Sequence, residues 1–444
     1  MLKFLHLSDL HFTTVDAGTQ FDRDVKVREA LLADLGKEGR SQFDAILVTG
    51  DISYHGRAEE FARAKAWFEE VRNSTESSPE ALFVVPGNHD VNRGTVSRDS
   101  SLWELHQSLR KDAQPEDRLK SLEKKLQDPF DFLTALTEYR SFAAEYDCPT
   151  KPNELAWVQV LDDTRLLEDG TAVRFHGLNS ALISDAEDAK ANLFLGTIQF
   201  HRFDSNPSYV SIVLCHHPHS WLIDGNEVND FLRNQAHVVL CGHEHDTRIY
   251  VEGGSLRVFA GAVHPARREN RWEPCYHILR LSVSTAAKRE LMASVETRVW
   301  LDKEKRFGPY VLTEGESRIE HRIALLPWVR PSVSPTGSQT KASESMVASS
   351  DVKAASATVT PDAFAAARRK LIVHFFRLGT ISRYRVVMDT GVWEDTDDAF
   401  DGEARWARVF DRAEKAGKFP DLWEAVAAND ETLVGQPNPF TSGT

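Results

Sequence analysis

Residues 82–90 read Leu-Phe-Val-Val-Pro-Gly-Asn-His-Asp: a short apolar run, a turn, then side chains that bind metals. The run is too brief for a helix, and its Val content suits a strand covered on both faces. Pro86-Gly87 ends it. The same arrangement recurs at four other places. Phe4–Leu7 leads into Ser8-Asp9-Leu10-His11, and Ala45–Thr49 into Gly50-Asp51. Val210–Cys215 leads into His216-His217, and Val238–Cys241 into Gly242-His243-Glu244-His245. In open α/β sheets, side chains just past the carboxyl ends of strands meet in one crevice. Five strand endings of this type predict one polar cluster there.

The residue types suggest the chemistry. A phosphoester hydrolase must stabilise negative charge and make a nucleophile from water at neutral pH. Two divalent cations about 3.5–4 Å apart do both, clamping the attacking and leaving oxygens. Imidazole suits zinc, iron, nickel and copper, while carboxylate and amide oxygens suit harder ions such as manganese. A mixed His/Asp/Asn set fits borderline first-row ions. Glycines at 50, 87 and 242 let the backbone turn sharply off a strand.

The series Asp9-x-His11, Gly50-Asp51, Gly87-Asn88-His89-Asp90, His216 and Gly242-His243-x-His245 resembles the signature of calcineurin-like metallophosphoesterases. Its five blocks stand in the family's order over about residues 4–285. The flanks LHLSDLHF, VTGDISYHG and FHGLNSALI are most similar to the branch holding class III cyclic-nucleotide phosphodiesterases. Double-strand-break repair nucleases share the same blocks. The resemblance implies an α/β fold, a four-layer α-β-β-α sandwich with a helical insertion. It implies that Asp9, His11 and His245 bind one metal, that Asn88, His216 and His243 bind a second, and that Asp51 bridges both. A hydroxide held between the metals would attack phosphorus. His89 would contact the phosphoryl oxygen or protonate the leaving oxygen. The implied cofactors are two divalent ions, manganese first, with iron, zinc or nickel as alternatives.

Other polar residues are read more locally. Asp90 is expected to bond a backbone turn, as carboxylates in tight turns do. His217 is expected on the opposite face of its strand from His216 by the period of two, in the core or behind the ligands rather than as a ligand. His6 reads as a strand residue and His219 as a loop residue. His176, His237, His264 and His277 have no spacing that argues for ligation. Three residues are candidates for substrate contact: His55, close behind the bridging Asp; Arg93; and Arg271, in the run Arg267-Arg268-Glu269-Asn270-Arg271. Arginine forks match phosphate geometry.

The whole chain of 444 residues is 41% hydrophobic and 27% charged, which excludes a mainly disordered or fibrous protein. Its formal charge of -14 weighs against a surface that coats nucleic acid, since such binding rests on Lys and Arg neutralising phosphates. Four cysteines lie far apart without CxxC spacing, so neither a disulfide framework nor a zinc ribbon is expected. No apolar run reaches ~18 residues. The chain reads as soluble and cytoplasmic, without a membrane partner.

The domain reading places a metallophosphoesterase domain at 1–329, with a helical insertion at about 98–147. A linker rich in Ser, Thr and Ala occupies 330–361, a small all-α domain 362–430, and a tail 431–444. The small domain has a dense aromatic set (Trp393, Phe400, Trp406, Phe410, Phe419, Trp423) and no convergent His/Asp/Cys group. It loosely resembles the bacterial effector-associated, death-like adaptor domains, helical modules that pair with copies on other proteins, often in antiphage systems. The resemblance implies a protein partner. The first functional reading is a phosphodiesterase acting on a nucleotide or nucleic acid. Its alternatives are a nuclease of the same fold, a protein phosphatase, and a binding scaffold that has lost catalysis.

Overall fold

A computed structural model describes residues 1–328 except 15–21, 23, 38–41, 79, 112–113, 127–131, 153, 163, 204–205, 266–272, 287 and 311–317. It also describes 364–440 except 365–366, 369, 373, 376–377, 379, 395–401, 429–432 and 434–436. The chain divides into two compact units, Met1–Ser332 and Val333–Thr444.

The first unit is a mixed α/β fold of two sheets with helices. Its first sheet grows from β1 (Leu2–Leu7), β2 (Ala45–Val48) and β3 (Leu82–Val84), which pair in parallel. These three runs are buried almost throughout, as strands covered on both faces must be. On the other side of β1 the sheet continues antiparallel through β10 (Cys275–Ser284) and β11 (Glu290–Leu301). The far edge of β11 pairs with both β12 (Arg306–Pro309) and β13 (Arg318–Ala324). The second sheet runs in the order β4 (Trp157–Val160), β5 (Ala172–Gly177), β6 (Tyr209–Leu214), β7 (Val238–Cys241), β9 (Ser255–Phe259), β8 (Arg248–Glu252). Its inner strands are parallel and its two edge strands antiparallel.

Aromatic side chains join the sheets. Phe175 of β5 stacks on Phe83 of β3 at 4.4 Å and meets Phe4 of β1 edge-on at 5.7 Å. The Trp157 indole N–H donates to the Val84 carbonyl at 2.9 Å. Burying rings of this size supplies about 1.5–3 kcal/mol each. Helices α1 (Val25–Leu35) and α2 (Ala58–Thr75) pack together, α1 also against β12. On α1, buried Asp34 accepts the Arg298 guanidinium of β11 at 2.9 Å and the Tyr276 hydroxyl of β10 at 2.6 Å. This pairs a charge that burial would otherwise make costly.

Between β3 and β4 the chain forms α3 (Ser101–Lys111), α4 (Pro115–Leu126) and α5 (Thr137–Ala144). Phe142 of α5 stacks on Phe61 of α2 at 5.2 Å. Arg110 of α3 reaches into the loop after β5. It donates to Asp185 at 2.7 Å, Asp188 at 3.1 Å, the Ile183 carbonyl at 2.9 Å and the Asn192 carbonyl at 3.2 Å. The insertion therefore braces that loop. Helix α6 (Gly225–Gln235) leads into β7.

The second unit contains α7 (Thr380–Asp389), α8 (Gly402–Lys415) and α9 (Phe419–Ala427). Phe375 packs on Trp406 and Phe410, with Leu371, Phe419 and Trp423 in the same core. The expected linker and Phe400 of the aromatic set lie outside the described residues. No helix among the described residues is long and apolar enough to cross a membrane. The four cysteines are buried and unpaired.

Candidate metal centre

The five strand endings converge. Asp9 and His11 follow β1, Asp51 follows β2, Asn88 follows β3, His216 follows β6, and His243 and His245 follow β7. The backbone is under strain where these side chains turn inward. Asp9, His11, Asp51, His243 and His245 have φ of 54°, 48°, 52°, 71° and 54°. Non-glycine residues rarely adopt this left-handed region, which costs about 1–2 kcal/mol apiece. Such strain persists only where the surroundings over-determine it. Here the turn after β1 zips onto the turn after β2: the Leu10 and His11 amides donate to the Asp51 carbonyl at 2.8 and 2.9 Å. Asp90 holds the next layer, accepting the amides of Ile52, Ser53 and Gly87 at 3.2, 2.8 and 2.9 Å. It is the backbone anchor expected from its turn.

Two glycines are required by close approach. A Cβ on Gly87 would collide with the Asp51 carboxylate, and one on Gly242 with the Ser8 hydroxyl and Asp9.

The donors fall into two groups that share one atom. Asp51 Oδ2 lies 3.3 Å from His11 Nε2 and 3.3 Å from His216 Nε2. On the first side, His245 Nε2 is 3.0 Å from Asp9 Oδ1. On the second side, Asn88 Oδ1 lies 3.1 Å from His216 Nε2 and 3.0 Å from His243 Nδ1. Backbone carbonyls set the imidazole tautomers. His11 Nδ1 donates to the His264 carbonyl at 3.1 Å, and His216 Nδ1 to the Thr49 carbonyl at 2.7 Å. In each neutral ring the Nε2 lone pair is then aimed at the lone pairs of Asp51 Oδ2. Acceptor facing acceptor is repulsive unless a positive charge lies between them. The donor set thus fits cations of the borderline first-row type.

Electrostatics carry the same mark. Burial opposes ionisation of Asp9 and Asp51, yet the His245 charge and hydrogen bond hold the Asp9 carboxyl well below its ordinary range. His216 and His11 do the same for Asp51. Burial would depress His216, but Asp51 and Asp9 raise it to about 9. The centre calls for positive charge.

His217 does not turn away as the period of two predicts. The strand ends at Leu214, so alternation no longer governs residue 217. Its Nε2 sits 3.2 Å from Asn88 Oδ1, and its ring is 4.4 Å from that of His243. His264 was also silent in the sequence, because it acts through its carbonyl, which no motif reports.

The centre opens into a cavity of about 660 Å³ whose walls include Asp51, Asn88, His89, Lys190, Trp221 and His243. Trp221 meets the His243 ring edge-on at 4.1 Å, and its indole N–H donates to Glu244 at 3.1 Å. Lys190 pairs with the same carboxylate at 3.2 Å. Lys190 belongs to the loop that Arg110 braces; among the described residues, none of α3–α5 is in the cavity walls. His89 lines the cavity, its Nδ1 donating to the Tyr54 carbonyl at 2.9 Å. His55 does not. Its Nδ1 is held by buried Glu60 at 2.9 Å, at the start of α2. Arg93 is exposed and stands apart from the walls, though its charge reaches His89. Arg271 lies outside the described residues.

The family model described as calcineurin-like phosphoesterase matches residues 2–247. Among solved structures, vacuolar protein sorting 29 from Cryptosporidium parvum is 11% identical with a TM-score of 0.31, covering 73% of this chain and 98% of that one. Vps29 complexed with zinc from Entamoeba histolytica is 10% identical with a TM-score of 0.28, covering 73% and 99%. GAP50, the anchor in the inner membrane complex of Plasmodium, is 10% identical with a TM-score of 0.35, covering 73% and 89%. Likenesses this distant carry no functional argument. No curated protein matches the chain.

Proposed function

The chain belongs to the calcineurin-like phosphoesterase family, and from that premise we propose that it hydrolyses a phosphodiester of a nucleotide or nucleic acid, using two divalent cations. The observation that carries the reading is Asp51 Oδ2, set 3.3 Å from a nitrogen of each donor group. Asp9, His11, His245 and Asp51 would hold one cation; Asn88, His216, His243 and Asp51 the other. Bound there, the pair supplies Lewis-acid polarisation of the phosphoryl oxygen and a lowered pKa for attacking water.

The chain's own side chains do the rest. His89 is oriented by its Nδ1–H bond to Tyr54, which leaves Nε2 toward the cavity as the proton-carrying atom. Burial depresses its pKa. The resting ring is neutral, with a lone pair on Nε2 that would take up the proton released by the attacking water and hand it to the leaving oxygen. Trp221 and Lys190 offer an aromatic edge and a cation to the remainder of the substrate. The open cavity of about 660 Å³ suits a nucleotide-sized group.

The helical unit would serve as an adaptor that brings the enzyme to a protein partner, in the manner of antiphage assemblies. Its separate apolar core supports this, as does the lack of any candidate metal group in it among the described residues. Comparing the full chain with one ending at residue 328 for self-association and partner capture tests it; equal behaviour overturns it.

A substrate panel with manganese, iron, zinc and nickel tests the catalytic reading. Bis(p-nitrophenyl) phosphate, cyclic mononucleotides, dinucleotides, single-stranded and duplex DNA, RNA and phosphomonoesters are compared. Metal-dependent diester cleavage that disappears in Asp51→Ala is expected. Cleavage retained in that variant overturns the site, and preference for polynucleotides makes the enzyme a nuclease.

A further inference from the structure

Two segments without a donor residue complete the cavity wall: Lys190 stands on the loop after β5, and Trp221 on the turn before α6. Both side chains end on the Glu244 carboxylate, and the Lys190 ammonium lies 6.0 Å over the indole. The segments are also joined through backbone. The Leu193 amide donates to the Trp221 carbonyl at 3.1 Å, and the Ile223 amide to the Leu193 carbonyl at 2.7 Å. Asp224 adds two bonds, accepting the amides of Leu195 and Gly196 at 3.2 and 2.8 Å. The stretch 183–196 is therefore tied at its far end to the backbone that carries Trp221. Lys190 is 68% exposed, so its place is set by its loop and not by burial. That loop is held at its near end from outside the cavity. The four acceptors of the Arg110 guanidinium, at Ile183, Asp185, Asp188 and Asn192, bracket Lys190 on both sides. Asp185 is buried; without Arg110 its charge loses a partner, and the loop must open to hydrate it.

We propose that Arg110 is a positioning residue for the substrate: from α3, outside the cavity, it sets the 183–196 stretch so that Lys190 and Trp221 form the wall against which a nucleoside part of the diester rests. The inference rests on the phosphodiesterase reading and adds the substrate class that the wall accepts. An indole gives a base an aromatic surface, and the ammonium beside it gives the base edge or sugar a donor. Neither group is needed by the reacting phosphorus itself. Contacts to the non-reacting part of a substrate hold the reacting atoms in line, and they do so only if the contacting groups are themselves fixed. Arg110 supplies that fixing with one planar fork that reaches two carboxylates and two carbonyls.

The test compares two chromogenic diesters with the full chain and Mn²⁺. Thymidine 5′-(p-nitrophenyl phosphate) carries a nucleoside; methyl p-nitrophenyl phosphate carries nothing for the wall to hold. Arg110→Met should raise KM for the nucleoside diester about 10-fold, with kcat moved by less than about 2-fold. It should leave the methyl diester and the bound metal unchanged. Arg110→Lys, a point charge in place of the fork, should lose part of the same preference, and it carries the test where Arg110→Met does not fold. Lys190→Met should raise the same KM. Added to Arg110→Met it should cost nothing more, because that ammonium has already lost its place. Backbone hydrogen exchange should quicken at Leu193 and Ile223 in Arg110→Met. Equal preference for the nucleoside diester in wild type and both Arg110 variants overturns the proposal. So does an equal fall on both diesters or loss of metal, which makes Arg110 general architecture, and so do additive losses in the double variant. Wild type that cleaves neither diester overturns the phosphodiesterase reading instead, and exchange at Leu193 then decides the brace alone.

Discussion

The two sheets bring different chemistry to the junction. The first contributes every oxygen donor, Asp9, Asp51 and Asn88, together with His11. The second contributes only imidazoles, His216, His243 and His245. Together they make the mixed nitrogen and oxygen set that borderline first-row cations take. The packing is shared in the same way. Gly242 follows β7 of the second sheet, but the space left by its missing side chain is filled by Ser8 and Asp9, which follow β1 of the first. The centre is therefore a property of the seam and not of either sheet.

Asp51→Ala removes the oxygen common to both donor groups. It should abolish uptake of both cations and lower diester cleavage by on the order of 10³-fold or more, read by metal analysis and steady-state rates. His243→Ala takes one nitrogen from the second sheet alone. It should cost one cation and about 10²-fold in rate, with the Asp9 group still loaded. A variant that loses both would show that the groups are not separable. The paired glycines sharpen the contrast. Gly87→Ala presses on Asp51 and should impair both cations; Gly242→Ala presses on Ser8 and Asp9 and should impair the first preferentially. Each should lower stability by about 1–3 kcal/mol in chemical denaturation.

The smallest effect at neutral pH lies away from the seam. His176 of β5 is buried with both ring nitrogens lacking a partner, stacked on Phe203 at 3.8 Å. Burial, with Arg174 and Arg202 nearby, lowers its pKa to about 3. The folded state therefore binds its proton more weakly than the unfolded chain does. The associated stability is intact above an unfolded-state pKa of about 6.5 and is lost as pH falls toward about 3. His176→Phe should stabilise by about 1 kcal/mol at pH 7, with a margin over wild type that widens by about 3 kcal/mol by pH 4. A margin constant with pH would show that His176 does not titrate with unfolding.

What could be read in advance follows from what short-range pattern encodes. Apolar runs such as Ala45–Val48 are visible because both faces are buried, and the residue after each run is visible because the run stops. The donor turns were legible for that reason. His217 was not, since the period of two was carried past the end of β6 at Leu214. The His264 carbonyl that orients His11 comes from 253 residues away and uses a group every residue has. Arg110 looked like an ordinary charge on an amphipathic helix; only the fold brings Asp185 and Asp188 to it. The antiparallel strands β10–β13 alternate buried and half-exposed residues in part and carry no chemistry to draw notice.

Asp9 and His245, partners at 3.0 Å, are separated by 236 positions, and β1 reaches its register with β10 only once residues 277–281 are present. During synthesis, the acidic turns leave the ribosome long before the imidazoles that complete them. A nascent chain stalled before residue 245 exposes carboxylates without their counter-groups and has no complete place to load an ion. On the two-cation reading, an ion meets its full donor set only after the second sheet has been made.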